Sequence, residues 1–167
     1  MIKQANELTF GDKKFSMILY GAPGVGKTTL ALSAPNPVLI DFDKGVSRVK
    51  AYHRRLTIVC DTYEEVLNDI QAPEIKDCET IIIDTGGSFV SYLQDYVMRE
   101  NPAVNKQKNG AISLKGFGAV KQEFQRFTNM VRDVMNKNVI YVFHSDEQKD
   151  KDGNPQQRLL CEGAARN

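Results

Sequence analysis

The chain has 167 residues, a formal net charge of +1, and 41% hydrophobic and 26% charged residues. That length suits one domain with a substantial core, and the near-zero charge excludes a global field that would draw nucleic acid or membrane, so any such partner must meet a local patch. Cys60, Cys78 and Cys161 are scattered and odd in number; they fit neither a disulfide framework nor a zinc site, and a reducing, cytoplasmic setting follows. No apolar run is long enough to span a membrane and no leader pattern opens the chain.

Taken in order, residues 7–10 and 15–20 flank Gly11-Asp12-Lys13-Lys14, the pattern of a hairpin. Phe15–Tyr20 is apolar and is expected to be a buried strand. Gly21-Ala22-Pro23-Gly24-Val25-Gly26-Lys27-Thr28 follows and fits G-x-x-x-x-G-K-[ST]. A helix begins at Thr28-Thr29 and is stopped by Pro35 and Pro37. Pro37–Asp41 reads as a second strand and Leu56–Cys60 as a third. Thr62-Tyr63-Glu64-Glu65 is a capping box for a helix that ends at Pro73. Thr80–Asp84 is the fourth strand, and its three successive isoleucines predict burial on both faces of a parallel sheet. Phe89, Leu93, Tyr96 and Val97 share a helical face. Residues 101–118 read as irregular. Val120, Phe124, Phe127, Val131 and Val134 form the apolar stripe of a long helix. Asn138–Phe143 is the fifth strand, ending at His144, and Asp152-Gly153 predicts a turn before a strand near Arg158. Strands alternating with helices give an α/β sandwich around a mainly parallel sheet.

Ligands in such sheets bind at the carboxyl ends of the strands, where this sequence places its polar residues. In the phosphate-binding fingerprint, Gly21, Gly24 and Gly26 let backbone N–H groups turn toward an anion. Ala22, Pro23, Val25 and Thr29 complete the loop, Lys27 reaches the β- and γ-phosphates, and Thr28 offers a hydroxyl to Mg²⁺. Asp84 closes an apolar strand, as a metal-holding acid should. Asp41 and Asp43 end the second strand and point different ways by alternation; either can supply the base or water-orienting group that hydrolysis needs. His144 is placed to sense a γ-phosphate by a hydrogen bond. Residues 101–122 contain Lys106, Lys108, Lys115 and Lys121 with Phe117 and no acid, a composition suited to tracking a phosphate backbone and stacking a base, or equally to a solvated surface.

Together these motifs resemble the RecA core of P-loop ATPases. Within it they are similar to the phage-encoded minimal RecA-like ATP-binding proteins, the Sak-type single-strand annealing proteins. The resemblance implies a P-loop NTPase fold with helices on both sheet faces. It implies ATP and Mg²⁺ as ligands, and a role in phage or prophage DNA recombination in the bacterial cytoplasm. It places the catalytic base at Asp43, where relatives usually carry Glu, and the sensor at His144. It puts a single-stranded-DNA-contacting loop at 101–118. It further implies assembly into rings or filaments, in which a basic residue such as Arg158 or Arg166 reaches a neighbour's nucleotide. Strands expected after the fifth are missing before Asn167, so the chain reads as one domain in truncated or reduced form. Two other functions fit the same residues. A small-molecule or nucleotide kinase would use Arg48, Arg54 and Arg55 around an acceptor, and an ATP-dependent binding switch would need little turnover.

Overall fold

The computed structural model describes residues 14–149 and 151–160. Its centre is a sheet in which β1 (Ser16–Gly21), β2 (Pro37–Asp41), β3 (Thr57–Ile58), β4 (Thr80–Asp84) and β5 (Asn138–Lys149) run parallel in the order β1-β5-β4-β2-β3. A sixth strand, β6 (Pro155–Leu159), lies antiparallel to the far half of β5, after a turn in which Gly153 takes φ +84°.

The isoleucines of β4 show why both faces must be covered. Ile81 and Ile83 enter a core with α2 (Tyr63–Asp69), α3 (Gly86–Glu100) and α5 (Leu114–Asn129), contributed by Tyr63, Val66, Phe89, Leu93 and Phe127. Ile82 faces the other way, against Ala31 and Leu32 at the end of α1 (Lys27–Ala31). All three are fully buried, and alternation along the strand assigns them to opposite layers. Helices on both faces of a mainly parallel sheet are thus observed. Thr62 caps α2 by accepting the Glu65 N–H at 3.2 Å; Glu65 returns a carboxylate oxygen to Asp61 N at 2.7 Å, one residue before the position a strict capping box would use.

Several expectations change. β1 lies at the sheet edge among the described residues, and Phe15, Met17, Ile18 and Tyr20 are exposed; an apolar run of this length cannot tell a central strand from an edge one. β5 continues past His144 to Lys149, because β6 supplies hydrogen-bond partners where β1 and β4 stop. The 101–118 segment is ordered: α4 (Pro102–Asn105) leads to a bridge between Lys106 and Ile112, closed around Gly110 at φ +86°, and Ser113 then caps α5 by accepting Gly116 N. Val134 leaves its stripe and is 80% exposed. The helix widens into a π-turn over Met130–Val134, seen in the Met135 N–H to Met130 O bond, and the extra residue per turn rotates Val134 outward. The hairpin expected over 7–20, Cys161 and Arg166 fall at least partly outside the described residues. Cys60 and Cys78 are buried and free, as the spacing implied.

Candidate functional site

The parallel register sets the site. Gly21 pairs with His144 across β1 and β5, Asp84 pairs with Val142 across β4 and β5, and Asp41 pairs with Asp84 across β2 and β4. All of these positions therefore reach one level at the carboxyl edge of the sheet. The loop from Gly21 to α1 needs glycine at two points, Gly24 at φ +81° and Gly26 at φ +90°, where a side chain would be strained. Lys27 Nζ donates to Gly21 O at 2.9 Å and Ala22 O at 2.8 Å and lies 3.5 Å from His144 Nδ1. Thr28 Oγ1 donates to Asp84 Oδ2 at 2.6 Å. α1 is short, so attraction for an anion rests on the loop's N–H groups and Lys27 more than on a helix dipole.

The acids of β2 divide their work. Between them Phe42 is buried against Phe89 and Tyr92, and its N–H donates to Asp84 O at 2.8 Å, which fixes the strand end beside β4. Asp41 is 2% exposed and accepts Gly45 N–H at 2.9 Å and Val46 N–H at 2.7 Å, so it builds the following turn. Asp43 is exposed at the cleft; its Oδ1 accepts from Thr85 Oγ1 at 3.3 Å and from Ser88 Oγ. Thr85 and Ser88 were missed in the sequence, although Thr85-Gly86-Gly87-Ser88 after a strand is itself an N-cap signal: Thr85 Oγ1 accepts Ser88 N–H. A cleft of about 650 Å³ joins these groups, lined by the glycine-rich loop, Lys27, Thr28, Thr29, Asp41, Asp43, Asp84 and His144, and also by Arg48, Lys50, Tyr52 and His53.

Compared with protein-family models, residues 13–164 match the AAA domain. The chain belongs to the AAA domain family. No curated protein sequence matches it. The family, the fingerprint and the parallel sheet agree on an α/β P-loop NTPase fold, and AAA domains are ATPase modules that generally take ATP with Mg²⁺.

The side chains of this AAA domain suit a hard cation. Thr28 and Asp84 present oxygen donors side by side, the ligand type Mg²⁺ prefers. Among the described residues no group of three or more His, Cys, Asp or Glu could hold a metal ion. Burial pushes the Asp84 carboxyl above the usual carboxylate range; Thr28's hydrogen bond opposes this, Asp41 and Asp43 add to it and His144 opposes it. Desolvation likewise lowers the Lys27 ammonium, with Asp84 opposing. Both charges thus lack full compensation from the protein alone.

A stability consequence follows. Between the ordinary and the raised value the folded protein binds more protons at Asp84, so stability falls as pH rises through that window and stays lower above it. Asp84→Asn removes the charge and can still accept from Thr28. In the absence of nucleotide and Mg²⁺ it is expected to melt at a higher temperature than the parent at pH 7, with the gain shrinking toward pH 4. Thermal scans at both pH values check this, and a lower melting temperature at pH 7 would contradict it.

Other candidates lie elsewhere. Lys106, Lys108, Lys115 and Phe117 are exposed on the α4–α5 segment and do not line the cleft. Arg158 is on β6 opposite Asp146, also outside the cleft. Arg54 donates to Val49 O and Ser47 O, and Arg55 donates to Tyr52 O and Arg54 O, so both hold their own loop. Among the described residues no helix is long and apolar enough to cross a membrane.

Proposed function

We propose that this AAA domain is a Mg²⁺-dependent ATPase of the minimal RecA-like, Sak type, acting in phage or prophage DNA recombination and binding single-stranded DNA. One observation carries the ATPase reading: Lys27, the Thr28–Asp84 pair, Asp43 and His144 meet in a single cleft. Lys27 exchanges its two loop carbonyls for β- and γ-phosphate oxygens, a charge-assisted contact. Thr28 and Asp84 would hold Mg²⁺, which when bound neutralises phosphate charge. Asp43 spends Oδ1 on two hydroxyls and keeps Oδ2 to orient a water and take its proton. His144 stands beside Lys27 to read the terminal phosphate and, at the start of the β5–β6 ribbon, to pass that state along the chain. Asp84→Asn therefore also weakens the Mg²⁺-dependent part of ATP binding.

The DNA reading is supported by the exposed side of α5. Val120, Glu123 and Phe127 face inward, while Leu114, Lys115, Phe117 and Lys121 are exposed, near Lys106 and Lys108 in sequence and with no acid from 101 to 122. This is an ordered surface, so binding would cost little loop entropy. Lysines acting on phosphates displace counterions, giving a salt slope of about −0.7 per phosphate on single strands. Replacing Lys106, Lys108 and Lys115 together by alanine is expected to flatten the slope by up to about two units and to weaken all sequences alike. Phe117→Ala is expected to cost roughly 1–3 kcal/mol with little change in slope if the ring stacks a base. Fluorescence anisotropy of a labelled oligonucleotide at several salt concentrations measures both. Absence of binding at low salt would remove the DNA assignment. An ATPase assay with and without single-stranded DNA separates DNA-coupled turnover from a binding switch. Of the three arginines a kinase would use, Arg54 and Arg55 are engaged by backbone carbonyls, which leaves Arg48 alone in the cleft.

A further inference from the structure

Four basic or aromatic residues of the segment after β2, Arg48, Lys50, Tyr52 and His53, line the cleft with the phosphate loop, and Arg48 differs from the others. Lys50 lies 6.0 Å from the Tyr52 ring centre, and Tyr52 packs on His53 with ring centres 4.2 Å apart. Arg54 and Arg55 bond carbonyls of their own loop. The Arg48 side chain lines the cleft with Lys27, Thr28, Asp43 and Asp84, yet among the described residues it makes no hydrogen bond or ion pair.

Its position is built. The buried Asp41 carboxylate clamps the N–H groups of Gly45 and Val46, and the 3₁₀ turn Val46–Arg48 closes with Arg48 N–H on Gly45 O at 3.0 Å. The guanidinium then folds back over Gly45: a Cβ there would stand 2.5 Å from Arg48 Nη2. Gly45 has φ −92°, which any residue adopts, so a side chain here would displace the arginine's head group rather than strain the backbone. The second-strand acids thus serve two ends, with Asp43 at the reaction and Asp41 holding the turn that presents a cation.

We propose that Arg48 is the arginine that stabilises the terminal phosphate during hydrolysis, supplied by the chain itself and not by a neighbouring subunit. This rests on the ATPase reading above. In the step it serves, the water oxygen forms a bond to the γ-phosphorus. The bond from that phosphorus to the bridging oxygen breaks with its electron pair on ADP, and the water proton passes to Asp43. Arg48 takes no proton; its planar fork of N–H donors meets charge on the phosphate oxygens as the bond breaks. Such an arginine acts in cis in some P-loop enzymes and in trans in others.

The test uses the full chain, Mg²⁺-ATP and single-stranded oligonucleotide. Arg48→Ala is expected to keep ATP affinity within about threefold while single-turnover hydrolysis falls by about 10³-fold, the scale of an arginine finger. Arg48→Lys should recover part of the rate, because it keeps the charge without the fork. Gly45→Ala leaves Arg48 in the chain but displaces its head group, and is expected to slow hydrolysis with affinity kept. An equimolar mixture of Arg48→Ala with Lys27→Ala should stay inactive, since the first lacks the arginine and the second the nucleotide. Hydrolysis by Arg48→Ala within threefold of the parent would overturn the proposal, and recovery in the mixture would overturn the cis assignment by placing the arginine in a neighbour's site. A parent that binds ATP without turnover would instead fail the ATPase reading, and this proposal with it.

Discussion

Replacing Lys27 by alanine is expected to abolish tight ATP binding while leaving the fold in place. Hydrogen bonds to charged groups contribute about 1.5–3 kcal/mol each, so losing contacts to both the β- and γ-phosphates lowers affinity by about 10² or more. The protein itself loses little. Lys27 otherwise donates to Gly21 O and Ala22 O, and the Ala22 bond is exposed, so water can replace the donor. Calorimetric titration with Mg²⁺-ATP reads the affinity and a thermal scan reads the fold. A variant that melts like the parent and binds ATP equally well would remove Lys27 from the phosphate site.

Asp43→Asn is the second large effect. A positioned general base contributes typically about 10²–10⁴ in rate, so turnover should fall by that factor with ATP affinity nearly unchanged. Geometry favours a clean result. The amide oxygen can still accept from Thr85 and Ser88, which holds the side chain where the carboxylate was. Phe42 keeps the strand end anchored in the aromatic cluster. Asp41 is no substitute, because both of its oxygens are committed to Gly45 and Val46. Unchanged single-turnover hydrolysis in Asp43→Asn would return the catalytic role to another group.

Much of this site was legible from local pattern because its parts are local. Gly21–Thr28 is one contiguous fingerprint, and the Ile81–Ile83 run announces a strand buried on both faces ending in Asp84. The coming together of these parts was implied by one rule, that ligands meet the carboxyl ends of parallel strands. What stayed hidden depends on distant partners. β1 has the composition of a central strand, and only strand order shows it at an edge. Val134 carries the right period for its stripe until a π-turn adds a residue. The segment 101–118, rich in Asn, Gly and Lys, reads as irregular, yet Asn105 is buried and its side chain donates to Val97 O at 2.8 Å, a bond between segments that no spacing signals. Arg48 looks like Arg54 and Arg55 in sequence; they differ in which carbonyls lie within reach.

The most direct measurement is a calorimetric titration of the parent chain with ATP, run in Mg²⁺ and again in excess EDTA, with ADP as competitor. The central claim is that Lys27 and the Thr28–Asp84 pair form one nucleotide–Mg²⁺ site. It predicts a single saturable site per chain, competed by ADP, whose affinity drops when Mg²⁺ is removed. Absence of saturable binding at millimolar ATP, or binding indifferent to both Mg²⁺ and ADP, would contradict it.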